Sequence, residues 1–391
     1  MQNPAQRIQT LPVNFFASLE ARIAALQKSG RDVIRLDIGS PDMPPPPEVI
    51  AALAAAAARP DAHGYQPHLG PLALRQAWVE MYARLHGVSL DPESQVLPLM
   101  GSKEGIFNLL MAWVNPGDVV LVPDPGYMSY TRGTLFAGGE PYFFRLLPQN
   151  AFLPDFTELR KSIPVDVLRR ARMMWLNYPN NPTGAVAQLS LFEEAVEFAR
   201  RHNLLLCHDA AYVQVCFDGF QAPSLLEVPG ATEVGLEFNS LSKSHNMPGW
   251  RLGAAVGNAQ ALHALFRLKT NLDSGHFRPV LEAAIAAMRS DQAWLQDRNQ
   301  VYRARRDLVI AALNRLGLEM PAPQGAIYIW SPVPAGWTAL DFAASVLEQA
   351  HVSLTPGTVF GAAGEGYVRI ALTTPTPRLE EAMQRVQSWK G

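Results

Sequence analysis

Residues Glu233–Gly253 read EVGLEFNSLSKSHNMPGWRLG, and the change of character inside this stretch decides the fold. The first part, EVGLEFNSLS, has the length and apolarity of a buried strand that runs out into turn-forming polar residues. The remainder is too polar to continue as a strand. It is also poor helix, because Pro248-Gly249 punctuates it and its serines compete for backbone hydrogen bonds. Lys243, flanked by Ser242 and Ser244 and followed by Arg251, therefore stands just past the carboxyl end of a strand.

Three further runs repeat the pattern. DVVLVP (Asp118–Pro123), RMMWLNYP (Arg172–Pro179) and NLLLCHDAAY (Asn203–Tyr212) each read as a buried strand ending in polar residues. Between the last two lies the amphipathic SLFEEAVEFARRHN, where Ser190 and Glu193 predict a capping box. Strands alternating with amphipathic segments give an α/β fold on a largely parallel sheet, whose ligands sit at the strands' carboxyl ends. Outside this core, GSPDMPPPPEVI predicts an extended strap entering a helix near Glu48. Beyond about Phe277, helical patterns give way to GAIYIWSPV and GYVRIAL, two strand candidates for a small antiparallel sheet. The expected division is 1–45 (strap and part of a small domain), 46–276 (large domain) and 277–391 (small C-terminal domain).

The 391 residues are 48% hydrophobic and 17% charged, enough for a sizeable core. A net charge of −2 gives no reason to expect nucleic acid or an anionic membrane as partner, so a small molecule is expected. Cys207 and Cys216 lie in or near apolar runs, which predicts buried thiols and neither a disulfide framework nor a metal site. The N-terminal MQNPAQRIQTLPVN has no apolar signal core, and the alanine-rich run Val49–Ala58 is too short to span a bilayer. The expectation is a soluble, cytoplasmic protein.

The four strand ends carry Tyr127, Asn181, Asp209 and Lys243. Singly, each reads as a turn or cap residue. Together they match what pyridoxal phosphate requires: an amine for an imine link, an acid for the ring nitrogen, a donor for the ring oxygen and an anion site. Asp209 would keep the ring nitrogen protonated and Tyr127 would stack on the ring. Asn181 and Tyr212 would donate to the ring oxygen. The phosphate site would combine backbone N–H groups at Gly101, Ser102 and Lys103, where GSKEGIFNLLMAW begins a helix, with Ser240, Ser242 and Arg251.

With these residues in place, SLSKSHNMPGWRLG resembles the lysine signature of class I/II aminotransferases of fold type I. YQPHLGPLALR, GSKEGI, PDPGY, YPNNPTG, HDAAY and GYVRIAL follow in the family's order. The resemblance implies a large domain with a mostly parallel sheet between helices, a smaller α+β domain built from both termini, and a homodimer with shared active sites. It implies that Arg369 pairs with the substrate α-carboxylate, that the Gly39 backbone meets the same group, and that Tyr65 reaches the neighbouring subunit's phosphate. Gly39, Lys103, Asn181 and Arg369 form the implied substrate set.

Within the family, LPVNFFASLE, SLSKSHNMPGW and LKTNLDSGHF most resemble the LL-diaminopimelate aminotransferases of lysine biosynthesis and the related alanine and glutamate-pyruvate transaminases. Glutamate and 2-oxoglutarate are the expected second pair. Asn14 followed by Phe15 departs from the diaminopimelate enzymes' LPxY tyrosine, and His245 departs after the lysine. Phe15, Lys103, Asn271 and Asp273 are candidates for reading the far end of a substrate. Two other readings compete: a carbon–sulfur lyase of the same fold, and a ligand-sensing module, for which a DNA-binding segment is lacking.

Overall fold

In the strand Ala171–Leu176, Met173 and Trp175 point into one apolar cluster while Met174 and Leu176 point into another. Leu205–Asp209 splits in the same way, with Cys207 on the first side and Leu206 on the second. A strand that is apolar on both faces is stable only when helices cover both, which is why these runs do not alternate with polar residues. The structure is a computed structural model that describes residues 3–9 and 15–389.

The sheet has seven strands in the spatial order Val96–Leu99, Gly253–Gly257, Gly235–Ser240, Leu205–Asp209, Ala171–Leu176, Val119–Asp124, Glu140–Arg145. Gly253–Gly257 is antiparallel to both neighbours and all other pairings are parallel. The four runs read from the sequence are the four adjacent central strands, so their polar carboxyl ends share one edge. The helices Ser102–Trp113 and Ala259–Lys269 cover one face through Ile106, Leu109 and Leu265. Leu72–His86 and Leu189–His202 cover the other.

The Ser190/Glu193 capping box does not form. The helix starts at Leu189 with Gln188 at its N-cap and no side-chain cap. Ser190 already lies in the first turn, past the position from which a cap can act.

A second sheet pairs Tyr367–Ala371 antiparallel with Tyr328–Pro332 and with Thr355–Pro356. The strap joins this region, since Ile34–Arg35 runs parallel to Val352–Ser353. The helix Arg278–Arg289, although it follows residue 277, packs on Pro47–Ala57 and Leu72–His86 and buries Leu281 and Met288 in the large sheet's core. The C-terminal core takes up at Tyr302, within the long helix Gln292–Asn314. Cys207 is buried, Cys216 half-buried, and both are free thiols. Among the described residues, no helix is long and apolar enough to cross a membrane, and no His/Cys/Asp/Glu cluster is arranged to hold a metal.

Candidate active site

At the carboxyl edge of the large sheet, the strand ends, the strap and the second sheet enclose a cavity of about 510 Å³. Asp209, Lys243, Tyr127, Asn181 and Tyr212 all line it, as do Ser102, Lys103, Ser240, Ser242, Arg251, Gly39 and Arg369.

Asp209 is the last residue of its strand and is buried. Its Oδ2 accepts a hydrogen bond from the Tyr130 hydroxyl at 2.8 Å, whereas Oδ1 is buried with no partner among the described residues. Burial pushes this carboxyl up to about 6, against the lowering influence of Tyr130, His208, the Ala211 backbone N–H and Lys243. Tyr130 is held flat against Trp175, with ring centroids 4.8 Å apart, and meets Tyr127 edge-on at 5.7 Å. Beneath the strand end, His208 Nδ1 bonds the buried Glu237 at 2.7 Å.

The Asn181 loop is fixed by its own amides. Asn177 donates to the Asp209 carbonyl at 2.7 Å and accepts from the Asn181 N–H at 2.7 Å, while Asn180 accepts from the Thr183 N–H and hydroxyl. The Asn181 side-chain oxygen Oδ1 is thereby aimed at Arg369, whose Nη1 donates to it at 2.9 Å. Arg369 Nη2 donates to the Asp37 carbonyl at 2.7 Å, and the guanidinium lies between the rings of Tyr328 (4.3 Å) and Phe360 (4.7 Å). Its Nε is buried and unpaired among the described residues. The Tyr328 hydroxyl meets that of Tyr212 at 2.9 Å.

Lys243 rises from the one-turn helix Leu241–Ser244, and its amine donates to the Gly39 carbonyl. Burial first, then the cations of Arg369 and Arg251, push it down to about 8, with Asp209 opposing. Gly39 has to be glycine, because a Cβ there would collide with the Tyr328 hydroxyl. Gly101 does not line the cavity but supports it. It caps the helix Ser102–Trp113 at φ +81°, and a Cβ would strike the Arg251 guanidinium. Burial lowers the Lys103 amine, as do the neighbouring cations of Arg132 and Arg251. The Lys243 amine should titrate well below a surface lysine. Reductive methylation of the cofactor-free protein, followed by peptide mapping, should give a midpoint near pH 8, against about 10.4 for exposed lysines.

Other expected residues lie elsewhere. Tyr65 is 92% exposed and outside the cavity. Asp273 is bound to Lys269 at 2.6 Å and Asn271 donates to the Arg267 carbonyl, so both serve the local turn. Phe15 packs beside Leu19, Ile23 and Leu347, and it is Phe16 that reaches the cavity. Asn14 lies outside the described residues. His245 is buried beneath the site and is pushed down to about 3 by burial and by Arg298.

The sequence reading missed Tyr130, Asn177, Tyr328, Phe360 and Asp37. Tyr130 had a signal, since it stands three residues after Tyr127 on the same helix start. Asn177, the first polar residue after its strand, had one too.

The chemistry of these groups fits pyridoxal phosphate. The open Asp209 oxygen suits a ring N–H, the lowered amine suits imine formation, and a helix N-terminus beside two serines and an arginine suits a phosphate. Comparison with known proteins shows the family. The profile of the family "Aminotransferase class I and II" matches residues 31–386. The chain is 51% identical over 383 residues to an LL-diaminopimelate aminotransferase of Moorella thermoacetica, covering 98% of this chain and 97% of that one. It is 52% identical over 387 residues to one from Desulforudis audaxviator, covering 99% and 98%. The substrate-bound structure of BacF from Bacillus subtilis superposes with a TM-score of 0.95 at 36% identity, covering 99% of this chain and 98% of that one. The chain thus belongs to the class I and II aminotransferases, a family of pyridoxal-phosphate-dependent transaminases of fold type I.

Proposed function

We propose that this chain transfers the α-amino group of LL-diaminopimelate to a 2-oxoacid, with glutamate and 2-oxoglutarate as the second pair, using pyridoxal phosphate held in the cavity described above. The observation that carries the reading is the meeting, in one cavity, of the lowered Lys243 amine, the unpaired Asp209 oxygen and two cations from different elements, Arg369 and Lys103. Both substrate pairs carry a second carboxylate for a second cation to read. The two relatives above 50% identity support the choice of diaminopimelate.

In this reading Asp209 Oδ1 would accept the ring N–H, and Tyr127 would lie against the ring. Asn181 and Tyr212 would donate to the ring oxygen. Ser102, Ser240, Ser242, Arg251 and the N-terminal N–H groups of the helix Ser102–Trp113 would hold the phosphate. When bound, the cofactor supplies an aldehyde and a sink for the electrons left at the substrate's α-carbon. Arg369 takes the α-carboxylate as a planar fork, with its aromatic walls excluding water from the pair. Lys243, whose amine is pushed down to about 8, takes the α-proton on Nζ in its unprotonated form and returns it on the other side of the exchange.

The site also favours a pair of chains. Tyr65, Leu272 (61% exposed) and Phe277 (47% exposed) are exposed apolar side chains, and Gly275, between the latter two in sequence, lies beside the Gln66 and Pro67 carbonyls next to Tyr65. In a homodimer Tyr65 would extend to the phosphate site of the second copy.

A screen of amino acids against the cofactor-loaded protein tests the function. LL-diaminopimelate and glutamate should each shift the visible absorption in a single turnover. No response from any amino acid, or release of pyruvate from cystathionine in its place, would overturn the reading. Lys103→Met should weaken kcat/KM for dicarboxylic donors by about tenfold, the scale of one lost charge contact, and leave alanine unchanged. An equal loss for alanine would assign Lys103 to the phosphate loop.

A further inference from the structure

We propose that Arg298 is a positioning residue for Lys243, clamping the backbone turn from which the reactive amine rises. Arg298 stands on the helix Gln292–Asn314 and is 3% exposed. Its Nη1 donates to the carbonyls of Lys243 and Ser244, both at 2.6 Å, and its Nη2 to the Gln214 carbonyl and the Asn299 side chain, both at 2.7 Å. Among the described residues no carboxylate pairs with it. The cation is compensated by carbonyl dipoles and by the ring faces of Trp294 (5.7 Å) and Tyr302 (5.9 Å).

This is a costly way to fill a core position. A buried arginine without a carboxylate partner weakens the fold relative to an apolar residue of its size. What it provides is geometry. The helix Leu241–Ser244 is a single turn, too short to hold its own carbonyl ends, and the chain leaves helical geometry at His245 (φ −121°, ψ 19°). Arg298 supplies the missing donors at the residue that carries the amine. Gln214 follows Tyr212 by two positions, so the same guanidinium sets the spacing between the Lys243 turn and the Tyr212 segment. Seven residues further along the helix, on the same face, Arg305 holds Asp42 of the strap at 2.7 and 2.9 Å and the Leu372 carbonyl, close to Arg369, at 3.0 Å. One helix therefore fixes the seat of Lys243, the strap beyond Gly39 and the end of the Arg369 strand relative to one another.

The proposal rests on Lys243 being the imine-forming lysine, and the experiment separates the two claims. Arg298→Lys keeps the charge but loses the fork, and one ammonium cannot span four oxygens in this plane. Asn299→Ala is a milder variant that removes one contact to Arg298 and one to Gln214. In the cofactor-free protein the Lys243 amine faces Arg369, Arg251 and Asp209 and titrates near pH 8. A loosened turn lets it reach water, so the labelling midpoint in Arg298→Lys should rise by about one pH unit towards the ordinary lysine value. In the loaded protein, kcat should fall roughly 10- to 100-fold with KM within about threefold, the signature of a misplaced reacting group. Asn299→Ala should move both in the same direction by less. Wild-type midpoint and kcat in folded Arg298→Lys would overturn the proposal. If that variant does not fold, an unchanged Asn299→Ala does so. Borohydride tagging of a different lysine would defeat the functional reading, while the Lys243 midpoint would still decide the role of Arg298.

Discussion

Lys243→Ala is expected to fold, to retain the cofactor through the phosphate and ring contacts, and to lose turnover by roughly 10⁴-fold, the upper range for removing a general base. The expectation follows from burial and charge. The wild-type amine is pushed down to about 8 by desolvation and by Arg369 and Arg251, and among the described residues no other lysine lines the cavity except Lys103, whose cation neighbours and place at the helix start suit it to an anion. A single-turnover assay with glutamate reads the loss directly, and residual activity within tenfold of wild type would remove Lys243 from the chemistry. A small exogenous amine should restore part of the rate, because the alanine leaves room at Nζ. A linked stability effect accompanies it. The amine's folded value of about 8 lies below its ordinary 10.5, so between these values the unfolded chain binds a proton that the folded chain does not. The cofactor-free wild type therefore gains stability relative to Lys243→Ala as pH rises from 8 to 10.5, by an amount of order 2–3 kcal/mol. Paired melting curves across that window measure it.

The central strands were legible because continuous apolar runs leave few alternatives to burial on both faces. The other strands of the large sheet were not. Glu140–Arg145 is largely exposed at the sheet edge, and Gly253–Gly257 is made of small residues with no pattern of their own. Lys243, Asp209 and Asn181 were legible for a related reason, as polar residues directly after apolar runs at one sheet edge. Arg369 came only from resemblance to a family, since within YVRIA it looks like any charge on a strand. The partners that set the site's electrostatics were illegible because their meaning is tertiary. Tyr328 and Phe360 become walls for Arg369 only when the second sheet packs over the first, and Arg298 reaches Lys243 across 55 positions of sequence. Local chemistry misled at Asp273, where an i,i+4 bond to Lys269 satisfies the carboxylate within its own turn.

The difference between the two oxygens of Asp209 has a mechanistic consequence. Tyr130 commits one of them, and Trp175 fixes Tyr130 by stacking, so the carboxylate cannot rotate to offer the other oxygen elsewhere. Behind it, His208 is tied to Glu237, which also accepts from Tyr82, Ser224 and the Leu225 N–H. Although burial works to raise Glu237, His208 and these donors hold it below the usual carboxylate range. The Glu237 charge thus lies on the neighbouring strand, opposite His208 and behind the site, while Asp209 Oδ1 remains buried without a side-chain partner among the described residues.

Asp209→Asn should therefore cost about 10³-fold in turnover and much less in cofactor affinity. The amide keeps the shape and the Tyr130 contact but cannot hold a proton on a ring nitrogen. The lost charge matters most where carbanion character develops, and removal of one preorganised electrostatic contact there costs about 10²–10³-fold. Tyr130→Phe tests the same oxygen from the other side. With the hydroxyl gone, burial acts on Asp209 with less opposition, and its value rises above about 6. Turnover needs the ionised form, so the acid limb of the kcat profile should move to higher pH, and activity at pH 6 should fall more than activity at pH 8. Near-normal transamination by Asp209→Asn would refute the ring-nitrogen assignment. An unmoved acid limb in Tyr130→Phe would confine that hydroxyl to packing against Trp175. The two outcomes are independent, because the first concerns the charge on Asp209 and the second concerns what sustains that charge on a buried carboxylate.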